Sequence, residues 1–186
     1  MINSFTKIFF ISMIVFVSGK SYGQFNSLGF GLNLGIGQIK SVSPSLTSFT
    51  GSVFLEAEPK FTKDVSFLLS FLYARKVEYF LPEDRRNRYF PFVKGFSLRA
   101  VIQQPFNEKF FLEEGTGLLY LNDRVFNDVD SWNFGFVVHL LIGVNLKIPY
   151  STGFELGFGG EYGGTVTNTK ASYSYLFVQV KYKLVE

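Results

Sequence analysis

His139 is the only histidine in the 186 residues, so any imidazole chemistry in this chain has to be built around it. Along a strand the next side chain on the same face lies two residues further on. That position is Leu141. The expected role of His139 is a hydrogen bond to an internal glutamate, and no catalytic residue is assigned. Cysteine is absent, which excludes disulfides and thiolate ligands, and also the acceptor of a lipoprotein anchor.

Other polar clusters carry weaker chemistry. Asp123, Asp128 and Asp130 offer oxygen donors of the kind a divalent cation takes, but their spacing fits no known ligand loop, so a solvated turn is expected and no metal. Gly29-Phe30-Gly31 and Gly157-Phe158-Gly159 lie within strand patterns with no helix after them. The phosphate cradle of a dinucleotide site is therefore missing and no cofactor is expected. Arg85, Arg86 and Arg88 form the one dense basic run. They suit either a contact with lipopolysaccharide phosphates or an acidic partner, or a solvated loop paired with the acidic segment beside it; the second is favoured.

These residues sit in a framework that begins with an export signal. Lys7 precedes a ten-residue apolar run, Ile8 to Val17, and Ser21-Tyr22-Gly23 ends in small residues. The run is too short to span a bilayer and reads as a cleaved signal peptide over 1–23. Cleavage after Gly19 is the alternative. Removing Lys7 and Lys20 from the 18 basic residues leaves 16 against 15 acidic ones, a net charge of +1. Nucleic acid is not an expected partner.

From Gln24 to Glu186 the dominant period is two, which makes one all-β domain. Leu28, Phe30, Leu32, Leu34 and Ile36 alternate with Gly29, Gly31, Asn33, Gly35 and Gly37, and seven further segments follow, ending with Leu176 to Leu184. Only the segment near Phe110 to Leu121 is irregular, since adjacent Glu113 and Glu114 cannot share a face without a bulge. Strands of about ten residues, tilted by about 40°, cover an apolar band of about 25 Å. Short connections holding Pro59, Pro105 and Pro149 alternate with longer polar ones at 39–48, 79–91, 122–132 and 163–171. The prediction is an eight-stranded antiparallel up-and-down transmembrane β-barrel with both termini in the periplasm.

The second face decides between lipid and water outside. A soluble barrel would carry many charges there, whereas the first and third segments offer mainly glycine, serine, leucine and alanine. The apolar rows are therefore expected to touch lipid. Inside, Glu56, Arg99, His139, Glu155, Lys181 and Lys147 should form a paired network, because buried charge is costly alone. Asn33 is expected opposite Phe54, with Gly31 and Gly35 diagonal to that ring. Phe177 is expected on the other flank of the first strand, so that rings plug the lumen.

With these segments in view, LGFGLNLGIG (28–37), GSVFLEAEPKFTKDVSFLLSFLYARK (51–76), FFLEEGTG (110–117) and YLFVQVKYKL (175–184) resemble the small outer-membrane β-barrel family of OmpA-, OmpX- and PorT-like proteins. The resemblance covers the whole mature chain. It implies an outer-membrane location in a Gram-negative cell envelope, with lipid and lipopolysaccharide as surroundings. It also implies insertion by the barrel-assembly machinery, though the final strand ends on Val185 and Glu186 rather than on an aromatic. The function expected is non-enzymatic, a structural, adhesion or accessory role of a monomer. The alternative is a component of a secretion or envelope assembly. A lipid A-modifying barrel ranks lower, since the deacylase pattern needs serine where Leu141 stands, and a soluble lipid-binding barrel ranks last.

Overall fold

The computed structural model describes residues 25–62, 64–81, 89–146 and 152–185. The segment read as a signal peptide, the basic run Arg85, Arg86 and Arg88, and Lys147 and Pro149 all lie outside the described residues. Eight strands follow one another in chain order: β1 Phe25–Lys40, β2 Leu46–Pro59, β3 Val65–Lys76, β4 Phe92–Pro105, β5 Phe110–Arg124, β6 Ser131–Asn145, β7 Gly153–Thr165 and β8 Ser172–Val185. Each pairs with the next, and β8 pairs with β1, which closes the barrel.

Alternation builds this shape directly. Along β1, Leu32 is 40% exposed and Asn33 beside it 1%. The same division runs round the wall: Phe30, Val53, Leu69, Leu98, Phe136 and Leu156 face outward, while Ser70, Arg99, Glu113 and Gln179 are buried within. Closure also removes the unpaired strand edges that an open sheet would present, so every strand finds two neighbours.

Three expectations are corrected. The strands, 12 to 16 residues long, run on into segments expected as loops, leaving 41–45, 125–130 and 166–171 as short connections. The cause is burial above the belt: Ile39, Val93, Leu121 and Tyr173 continue the interior packing toward the rim. Only 77–91, which starts with a 3₁₀ turn at Val77–Phe80, is long. Secondly, β5 contains no bulge. Glu113 points inward and Glu114 outward in a regular register with both neighbours. Thirdly, Gly31 rather than Asn33 pairs with Phe54, and Asn33 meets Ser52. The five-residue connection 41–45, with Ile39 opposite Leu46, sets that two-residue difference. Phe177 does flank β1, opposite Gly35.

Candidate functional site

The interior is where the polar residues converge. Lys181 on β8 extends its ammonium group into a ring of carboxylates: Glu113 Oε2 at 2.9 Å, Glu56 Oε2 at 2.9 Å and Glu155 Oε2 at 3.1 Å. Those carboxylates come from β5, β2 and β7, so one side chain ties four strands together. Lys183 reaches Glu155 Oε1 and the Gln103 side-chain oxygen, each at 3.3 Å.

A second knot lies beside the first. Arg99 on β4 pairs with Glu161 on β7 and donates to Ser70 Oγ at 3.1 Å, while Tyr173 donates to Glu161 at 2.7 Å. His139 joins the two knots, with Nε2 3.1 Å from Glu113 Oε1 and Nδ1 3.4 Å from the Arg99 guanidinium. Three cations, Arg99, Lys181 and Lys183, thus face four carboxylates, Glu56, Glu113, Glu155 and Glu161. Near-balance is what lets such a set stay buried, because each charge has partners that offset its desolvation.

Glu56, Arg99, His139, Glu155 and Lys181 therefore all belong to one connected system. Glu113, Glu161, Tyr173 and Lys183, which also belong to it, were not singled out from the sequence. A signal was present for Glu161, which shares its alternation with Glu155 and Gly159, a row expected inside, whereas the Phe110 to Leu121 segment had no face assigned and left Glu113 open. Asp123, Asp128 and Asp130 are not brought together. Asp123 is buried and accepts from Ser41 at 2.6 Å and from the Val125 amide at 2.9 Å. Asp130 accepts from Asn122 at 2.8 Å and from Arg124 at 2.6 Å. The Asn122 hydrogen bond, then the Arg124 guanidinium, holds the Asp130 carboxyl below its ordinary range.

What the interior can do chemically follows from its occupancy. Both ring nitrogens of His139 are committed to Glu113 and Arg99, and the lumen is filled by side chains. Phe54, Phe111, Leu141 and Phe177 are almost wholly buried. Tyr173, Tyr175 and Phe177 stack along β8 with centroids 6.1 and 5.2 Å apart. Several rings fit because glycines face them. Added Cβ atoms at Gly31, Gly143 and Gly163 would run into Phe54, Phe111 and Tyr173.

The outer wall has the opposite character. Near the loop end, Tyr120 lies between Trp132 and Phe134, both centroids at 4.6 Å, and Tyr73 meets Phe92 at 5.6 Å. At the end carrying both termini, Tyr182 contacts Phe154 and Phe30. Aromatic residues at both margins of an apolar band are the pattern that membrane interfaces select in such barrels.

A closed barrel with an aliphatic belt, aromatic margins and a polar, paired interior is a membrane-spanning β-barrel. Among solved structures it is similar to Neisserial surface protein A, with TM-score 0.64 and 13% identity over 84% of this chain and 97% of that one. It is also similar to Ail, the attachment invasion locus protein of Yersinia pestis, with TM-score 0.52 and 13% identity over 86% and 99%. No protein-family model and no curated protein matches the sequence. At this identity the likeness is one of fold. The chain has the fold of the small eight-stranded outer-membrane barrels, and its belt is that of a barrel crossing a lipid bilayer.

Proposed function

We propose that the chain is a non-enzymatic barrel with a structural, adhesion or accessory role at the cell surface, acting as a monomer after removal of residues 1–23. The observation that carries the reading is the Lys181 knot. An interior cross-braced from β2, β5, β7 and β8 by ion-paired charges suits a rigid support for loops and leaves no room for a diffusion pore. Eight strands enclose space only for their own side chains. Adhesion draws support from the fold's use in an attachment invasion locus protein. In this reading the basic run Arg85, Arg86 and Arg88 takes the contact role that its sequence offers as the less favoured alternative, toward lipopolysaccharide phosphates or an acidic partner.

The test compares lipid A extracted from cells with and without the chain, alongside surface binding of an Arg85→Ala/Arg86→Ala/Arg88→Ala variant. Unaltered lipid A and weakened binding are expected. A newly deacylated or otherwise modified lipid A would overturn the non-enzymatic reading, and unchanged binding would remove the arginines from it.

Glu114 supports a second reading, a place in a secretion or envelope assembly. Its carboxylate faces outward, with Ile102 and Leu140 as its cross-strand neighbours, and an ionisable group on a lipid-facing wall calls for a partner. Photo-crosslinking from position 114 in intact cells distinguishes the two. A discrete protein adduct favours the assembly, and lipid adducts alone remove it.

A further inference from the structure

The aliphatic belt is interrupted at Gly160. Across the wall, Leu140, Gly160, Leu176 and Ile36 stand in register on β6, β7, β8 and β1. One row nearer the turns, Ile142, Phe158, Val178 and Leu34 all carry large side chains. A shallow groove of about 620 Å³ runs over Gly160, bordered by Val138, Leu140, Leu176 and Ile36 and reaching Gln38, Tyr162 and Ser174. An added Cβ at Gly160 would meet only Leu176 Cδ2 at 3.3 Å and the Tyr175 carbonyl at 3.8 Å. The tight neighbour is the movable end of the Leu176 side chain, whereas at Gly35 and Gly37 the obstruction is close backbone.

Toward the loop end the groove changes chemistry. Tyr162, Gln38 and Ser174 occupy the next row, and Lys40 and Ser172 pair in the row beyond it. A polar hollow of about 240 Å³ lies among these residues. No described carboxylate pairs with Lys40. An apolar trough below a cationic, hydroxyl-rich mouth is complementary to an acyl chain joined to an anionic head.

We infer that this groove is a lipid site for a phosphorylated, multiply acylated glycolipid of the outer leaflet, one acyl chain lying over Gly160 and a phosphate at Lys40. The leaflet follows from the mouth opening at the loop end, away from both termini. Lys40 supplies the charge, Ser172, Ser174 and Gln38 supply hydrogen bonds, and Tyr162 sits at the interface between the two halves.

The full-length mature barrel in detergent, given bisphosphorylated lipid A and examined by native mass spectrometry, tests this. Wild type should retain one lipid A, and Gly160→Leu, which fills the trough, should lose it. Lys40→Gln should weaken retention about fivefold, the size of one lysine–phosphate contact at a membrane surface, and dephosphorylated lipid A should show the same loss on wild type. Heat-modifiable migration reports folding of each variant. If Gly160→Leu does not fold, Lys40→Gln decides alone. Undiminished retention by a folded variant, equal retention of phosphatidylglycerol, or a doubled protein mass showing a second copy on that wall would overturn the inference.

Discussion

Lys181 and Glu113 meet at 2.9 Å across the lumen, from strands β8 and β5, which share no ladder. The backbone ties each strand only to its neighbours, so contacts of this kind fix the cross-section of the barrel. Lys181→Met would leave Glu56 and Glu113 with no ammonium beside them and Glu155 with Lys183 alone. Breaking a buried ion pair by removing one partner costs about 3–5 kcal/mol. The variant should unfold at distinctly lower urea concentration in a lipid or detergent host, read by the shift between folded and unfolded gel bands. An unchanged midpoint would show that the knot contributes nothing to stability.

Gly143 on β6 and Phe111 on β5 face each other in register, and the space a Gly143 side chain would need is taken by the Phe111 ring. Gly143→Val should therefore destabilise the barrel by about 1–3 kcal/mol through overpacking. Phe111→Ala alone should cost about 3–5 kcal/mol by leaving a cavity. The two changes together should cost less than their sum, since valine then occupies part of the vacated space. Strict additivity in a double-mutant cycle would contradict the idea that the glycine exists to admit the ring.

The outward rows make a depth-dependent prediction. Leu98 lies mid-strand on the lipid-facing wall, 49% exposed, whereas Gln104 is near the turn end of the same strand. Leu98→Arg should cost about 2–4 kcal/mol and Gln104→Arg about 0–1 kcal/mol, as expected for a charge at the bilayer midplane and near its margin. Equal costs at the two positions would mean that β4 does not face hydrocarbon.

Architecture was legible in the sequence because one period governs it. A two-residue alternation sustained from Leu28 to Leu184 assigns nearly every side chain to lipid or lumen without knowledge of any contact. What stayed hidden depends on position along the strands. Sequence spacing cannot say that the β1–β2 connection contains five residues, so Phe54 was set against Asn33 instead of Gly31. The same blindness kept Glu113 out of the interior. Its neighbour Glu114 competes for the reading, and only the regular β4–β5–β6 register shows which acid turns inward. Loop lengths were overestimated because polarity was taken to end the strands. Near the rim, polar residues such as Asn122, Asp123 and Asn133 are buried and continue the ladder with partners of their own.

Asp130 gives the loop end a pH dependence of definite sign. Its carboxylate clamps the 125–130 connection to Asn122 and Arg124 on β5, and those contacts lower its pKa from the ordinary value of 3.8. A depressed carboxylate contributes stability that is present above its unfolded pKa and lost as pH falls through its folded one. The clamp should thus hold at neutral pH and through mild acid, then release below pH 3.8. The pair is solvent-exposed, so salt should weaken it as acid does. Hydrogen exchange at the Val129 amide, which donates to the Phe126 carbonyl across the same connection, should accelerate over that acidic window beyond its intrinsic rate. Asp130→Asn should exchange faster already at neutral pH and lose the acid-dependent step. A wild-type profile that follows the intrinsic rate throughout would show that the connection is held by its backbone alone.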